Sequence, residues 1–229
     1  FIMSHLLRTM MGAAGVSSPP VTVTWVAKGR YYSTSSSTIT YSSKNLGTAS
    51  PDRVIVVGYG APSTSISGLN VSAVTVGGTS LTHHAVHAEG SDSSISGLWA
   101  GSVPSGTSGD IVITLSSSIT RVGIGVWAMT GSSVTSHDSM TSTVSPGTGT
   151  IDCPEGGAII GIKTVSKTGD QTFTWAGIDW NFAHKHQTAL HDTGGSKAFD
   201  TAQSGLTVSC TSTIGGNHTS TAVASFGKA

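Results

Sequence analysis

The sequence predicts an all-β protein, an antiparallel β-sandwich of jelly-roll or immunoglobulin-like type with a short N-terminal docking arm. Three observations predict it. Short runs rich in Val, Ile, Thr and aromatics recur along the chain between clusters of Gly, Ser, Pro and Asp. Most of these runs alternate apolar with small polar residues, the period of a half-buried strand. No helical pattern of comparable length occurs after Pro20. Many short strands without alternating helices pack as sheet on sheet.

In chain order the strand-like runs are "VTVTWVAKG", "STITYSS", "DRVIVVGYG", "LNVSAVTVGG", "GLWAGSV", "DIVITL", "RVGIGVWAM", "GAIIGIKTV", "QTFTWAG", "GLTVSCTST" and "TAVASFG". "RVIVVGYG" and "GAIIGIKTV" are apolar on both faces and predict central, fully buried strands. Residues 108–131 read as a hairpin. Ile111, Ile113 and Leu115 share one face of its first strand, Val122, Ile124 and Val126 one face of its second, and "SSSIT" is the turn. Gly123 and Gly125 fall on the opposite face, where bare backbone either admits a neighbouring layer or accommodates twist; twist is the plainer reading.

Composition narrows the function. The chain has 229 residues, 11 Lys and Arg against 11 Asp and Glu, and only 10% charged residues, well below the roughly 25% of an ordinary soluble domain. With its cations scattered and no basic stripe, nucleic acid is a poor partner. A surface with little charge is kept soluble by hydroxyls or covered by partners. The polar, Pro/Gly-rich residues 133–157 are the one candidate boundary. We read a single sandwich over 21–229, preceded by an arm over 1–20, because all-β sandwiches routinely exceed about 200 residues as one domain.

The stretches "ASPDRVIVVGYGA", "VTVGGTSLT", "LWAGSVPSGTSGDIVITLSSSITRVGIGVWAMTG" and "PEGGAIIGIKTV", in that order, resemble uncharacterised β-rich virion structural proteins of tailed bacteriophages and prophages. The opening "MSHLLRTMMGAAG" resembles the Leu/Met/Ala starts of phage particle proteins. These are packing and turn motifs without a catalytic signature. The resemblance implies a place on the exterior of a virion, as capsid decoration, head fibre, collar, tail or baseplate protein, among other virion proteins and copies of itself.

The opening segment is too short in its apolar run, and too broken by Arg8, for a secretory signal. It falls short of the about 18 apolar residues of a membrane span. It fits an amphipathic arm, with Leu6, Leu7, Met10 and Met11 at helical spacing as anchors for a neighbouring subunit and Pro19 and Pro20 stiffening the exit.

Four further groups invite a chemical reading. His83 and His87, four apart, share a strand face by simple alternation, as do His184 and His186, and each pair is a weak metal-ligand candidate. The spacing lacks the helix and Glu of an H-E-x-x-H site, so we expect no metal and no cofactor. Trp175, Asp179, Trp180 and Asn181 combine flat rings with polar neighbours, which is what a pyranose face and its hydroxyls require, and are candidates for host-surface glycan binding; buried anchors of a sandwich are the alternative. Cys153 and Cys210 are candidates for one disulfide between C-terminal strands, or two buried thiols. Only two glutamates are present and no G-x-S-x-G elbow occurs in a strand-to-helix context, so we expect no enzyme.

Overall fold

The computed structural model describes residues 18–62, 69–87, 94–143, 145–186, 190–213 and 219–229, without the side chains of His87 and His186. The candidate arm residues Leu6, Leu7, Met10 and Met11 lie outside the described residues. The described chain is all-β and antiparallel, with no α-helix. Its strands are β1 (Thr22–Asn45), β2 (Val54–Pro62), β3 (Val71–Val76), β4 (Thr79–Ser80), β5 (Thr82–His87), β6 (Ser94–Ser102), β7 (Ser108–Thr130), β8 (Ser132–Ser142), β9 (Gly147–Cys153), β10 (Ala158–Val165), β11 (Phe173–Ala176), β12 (Asp179–His186), β13 (Leu190–Ala198), β14 (Gln203–Ser212) and β15 (Thr219–Lys228). They form three sheets: a seven-stranded one in the order β4-β3-β7-β2-β6-β5 with β1 also on β7, a five-stranded one in the order β12-β13-β10-β15-β8, and a three-stranded one in the order β11-β14-β9.

The predicted hairpin over 108–131 is not formed. Residues 108–130 are one strand of 23 residues, and "SSSIT" lies within it rather than at a turn. The reason is the partner. β1 is as long, and lines β7 from Thr22 opposite Thr130 to Asn45 opposite Ser108, so the hydroxyl-rich middles of both strands stay extended against each other. On the other edge of β7 sit β3, against Ile111–Leu115, and β2, against Gly123–Met129. Register shifts in β1 between Tyr32 and Thr38 mark where the pair bends. The first sheet thereby curls on itself into a nearly closed barrel, whose interior holds Ile39, Val57, Tyr59, Val74, Ile113, Ile124 and Val126 from both halves.

The outer face of this barrel carries a second core. Val54, Val56, Leu98, Trp127 and Met129 meet Ala158, Ile160, Ile162, Ala224 and Phe226 of the five-stranded sheet. Beyond it a third core joins Ile159 and Val223 to Ile151, Trp175, Val208 and Cys210 of the three-stranded sheet. β10 is thus apolar on both faces for a physical reason: even-numbered residues face the barrel and odd-numbered ones the outer sheet. The sandwich is a stack in which a curled sheet and two further sheets enclose three apolar layers.

Hydroxyls fill the seam where apolar side chains stop. Ser96 Oγ lies 2.8 Å from both Thr164 Oγ1 and Ser220 Oγ, and Ser94 Oγ donates to Thr164 O at 3.2 Å, all of them buried. Mutual pairing removes the cost of burying these groups, which is how so Ser/Thr-rich a chain sustains an interior. Arg53, fully buried, fixes the loops at one pole of the barrel: its guanidinium donates to the carbonyls of Leu46, Gly47, Val103, Ser105 and Gly106 at 2.7–3.2 Å.

Candidate functional site

The strongest concentration of polar chemistry lies where β1 of the barrel passes the edge strand β12. Gly123 and Gly125 of β7 make this approach possible. A side chain at Gly123 would overlap the carboxylate of Asp192, and one at Gly125 the ring of Phe182, so the bare backbone admits the neighbouring layer. This is the closer-packing alternative raised by the sequence, and it prevails over twist.

Into this space β13 places Asp192, fully buried, and β12 places His184 directly opposite it. The imidazole Nδ1–H donates to Asp192 Oδ2 at 2.8 Å, and the His184 side chain is 8% exposed. Above His184 runs an open groove lined by Lys28, Gly29, Arg30, Lys44, Ala183 and Lys185. Lys28 Nζ donates to Ala183 O at 3.4 Å and Arg30 Nη1 to Lys185 O at 3.2 Å, while Lys185 pairs with Asp170. A carboxylate behind an imidazole fixes its tautomer and orientation, as in acid–base sites. Here it also ties β12 to β13 beside a basic surface.

The candidate glycan residues separate. Trp180 is 57% exposed, and Asp179 beside it lies 3.7 Å from Lys197 Nζ. Trp175 is a correction: it is buried in the third core, its indole N–H donating to Thr193 Oγ1 at 3.3 Å. It faces inward because β11 covers β10, where its ring lies against Gly161. Asn181 is a correction as well, since its Oδ1 accepts from Trp127 Nε1 at 2.7 Å and from Ser196 Oγ at 2.8 Å and so serves the interior.

A register shift at His84 removes the even spacing between His83 and His87 on which the same-face argument depends. His83 lies 5.3 Å from the Trp99 ring, and burial lowers its pKa. His84 instead bridges to β8, Nδ1 accepting from the backbone N–H of Ser136 at 3.3 Å, and burial, with the nearby His83, lowers its pKa. Among the described residues no group of three His, Cys, Asp or Glu is placed to hold a metal ion.

The disulfide is a correction. Cys153 and Cys210 are free and buried. Their strands are neighbours, but Cys210 lies opposite Gly147, and Cys153 is six residues further along β9. That offset is about 20 Å at roughly 3.3 Å per residue, against the roughly 4.4–6.8 Å between Cα atoms of a bridged pair. Burial pushes their thiol pKa values up to about 11 and about 12.

Lys28, Arg30, Lys163 and Arg53 are the polar residues the sequence reading passed over. "KGR" carried a signal, since two cations two apart share a strand face. Lys163 is the lone charge in the apolar run "GAIIGIKTV"; its amine is buried, donates to Cys210 O at 2.7 Å, and has its pKa lowered by desolvation. No protein-family model, curated protein or solved structure matches the chain.

Proposed function

We propose that this chain is a non-enzymatic structural component on the exterior of a tailed-phage particle, tethered by the segment ahead of Ser18. The resemblance of its strand and turn motifs to virion proteins motivates the reading, and the low charge of the surface agrees with a body that sits among copies and partners. One geometric observation supports a tether most directly. Ser18 lies beside the last strand: Ser18 Oγ donates to Ala229 O at 3.5 Å, Ala229 N–H donates to Gly131 O at 3.0 Å, and Val21 N–H to Gly156 O at 2.7 Å. Residues 18–21 are thus fixed at one pole of the body, which is where a tether ahead of them would act.

Removing residues 1–16 tests the reading, because β1 starts at Thr22 and Val21 is the first core residue among the described ones. The truncated protein is expected to stay soluble and folded yet fail to enter particles that lack the native copy. Equal incorporation of truncated and full-length protein refutes the tether.

A second reading, a receptor- or glycan-binding module, is favoured by the exposed Trp180 beside Asp179 and Lys197. A flat ring with polar neighbours suits a pyranose. Trp180→Ala then abolishes retention on host-surface polysaccharide without loss of fold, and unchanged retention removes this reading.

A further inference from the structure

We propose that the groove between β1 and β12, based on His184, lined by Lys28, Arg30 and Lys44 and flanked by Trp25 and Tyr32, binds a carboxylate-bearing polysaccharide. The groove is separate from the Trp180 platform, and its cations are not those of that surface.

The register of β1 creates it. Trp25, Lys28, Arg30 and Tyr32 lie opposite Trp127, Gly125, Gly123 and Arg121, which are alternate residues of β7. Alternate residues share a face, so all four β1 side chains project from the same side of the barrel, with the shift between Trp25 and Ala27 keeping them in phase. That side is the one turned toward β12. Trp25 stacks on Phe182 at 6.0 Å and remains 36% exposed; Tyr32 is 47% exposed, with the Arg121 guanidinium 5.5 Å from its ring.

The charges in the groove are not cancelled. Four of the chain's 11 Lys and Arg line it. Among the described residues only Lys185 of these four has a carboxylate partner, the exposed Asp170; Lys28 and Arg30 rest on the neutral carbonyls of Ala183 and Lys185. Asp192, the carboxylate beneath the groove, is enclosed behind His184. The carbonyl contacts hold the two cations in place and leave most of their N–H donors unused, which is preorganisation for an anion. Arg30 supplies the planar fork that suits a carboxylate, and the flanking rings supply flat apolar walls for sugar faces.

The polymer class follows from the number of cations. Three uncompensated charges would give a single-stranded nucleic acid a salt slope of only about −2, too little electrostatic contribution to hold it at physiological salt. A uronate polymer adds hydroxyl contacts and ring faces to its charge, and the groove offers partners for all three.

The test uses the full-length protein and three immobilised probes: polygalacturonate, neutral dextran and oligothymidylate. Expected is retention on polygalacturonate that declines with rising salt, with none on dextran and less on oligothymidylate. Lys28→Gln with Arg30→Gln should weaken polygalacturonate binding by about tenfold or more, while Lys197→Gln with Lys228→Gln, an equal change of charge at positions that do not line the groove, should leave it within about twofold. Lys44→Gln, which alters no contact with β12, should weaken it in the same direction and guards against misfolding of the double variant. Absent binding to polygalacturonate overturns the proposal. So do equal losses in the two double variants, and so does tighter binding to oligothymidylate, which would make a phosphodiester polymer the occupant.

Discussion

Gly125→Ala tests whether the barrel and the five-stranded sheet are held together by bare backbone. The added methyl would overlap Phe182 Cε1 and Cζ and lie 2.8 Å from Trp127 Cη2. The Trp127 contact alone is about 1 Å inside the roughly 3.5–4.0 Å of a good carbon–carbon contact, and the Phe182 overlap is deeper. Relief by rotation is blocked. Phe182 is 1% exposed, with Trp25 at 6.0 Å, Trp127 at 5.8 Å and His184 at 5.3 Å around its ring, and Gly194 lies close on the β13 side. The layers must therefore separate or Phe182 must leave its rotamer, and the cost belongs at the upper end of the overpacking range, about 3 kcal/mol. For a domain of this size that lowers Tm by roughly 6–12 °C. Urea unfolding followed by tryptophan fluorescence measures it directly. Pairing the substitution with Phe182→Leu should recover part of the loss, so that the double variant is less destabilised than the sum of the singles. A Gly125→Ala protein within about 0.5 kcal/mol of the parent would refute the argument, because the surface range of effects would then apply to a site assigned to a sealed seam.

Three further outcomes follow from the same interior. Alkylation of unfolded, unreduced protein should add two groups, at Cys153 and Cys210, by mass; in the folded protein both should react slowly, because burial holds the thiols protonated up to about 11 and about 12. Arg53→Met should cost at least about 3 kcal/mol in chemical denaturation, since it leaves a ring of loop carbonyls without their common donor. His84 has a folded-state pKa lowered below 6.5, so the unfolded chain takes up the proton first. Stability should be full above pH 6.5 and decline as the pH falls from there through the lowered value, and His84→Gln should flatten the decline in Tm measured against pH.

Most of the strands could be read from the sequence, and the corrections turn on pairing and packing with distant strands. Period-2 alternation reports which face a residue takes only while the register is unbroken. At His84 one extra residue breaks it, and the even spacing of His83 and His87 loses its meaning. In "SSSIT" the hydroxyls signalled a turn by composition, yet they lie in a strand because β1 offers an equally long and equally polar partner, which no local window of sequence contains. Trp175 and Trp180 sit five residues apart in one cluster and end on opposite sides of the packing problem, since the Trp175 ring lies against Gly161 of β10 while Trp180 is turned outward on β12, and neither partner is contained in the local stretch.

The glycines show how far the local reading extends. Alternation alone placed Gly123 and Gly125 on the face opposite Val122, Ile124 and Val126, and that placement is correct. What it could not supply was the layer beyond, because Phe182 and Asp192 arrive from a part of the chain some sixty residues later. The same two gaps in β7 then determine the surface. With no side chains there, β12 packs close enough for Lys28 and Arg30 to reach the carbonyls of Ala183 and Lys185 across the seam, while Asp192, the cross-strand partner of His184, fits against Gly123. A wider seam would lengthen those contacts and return both cations to solvent as independent charges. The groove is therefore a consequence of interior packing. Gly125→Ala should accordingly weaken polygalacturonate retention although it touches no cation, whereas a destabilising change on the far side of the stack, such as Trp175→Ala, should lower Tm and leave retention by the folded fraction intact; if both changes affected retention alike, the coupling between seam and groove would be wrong.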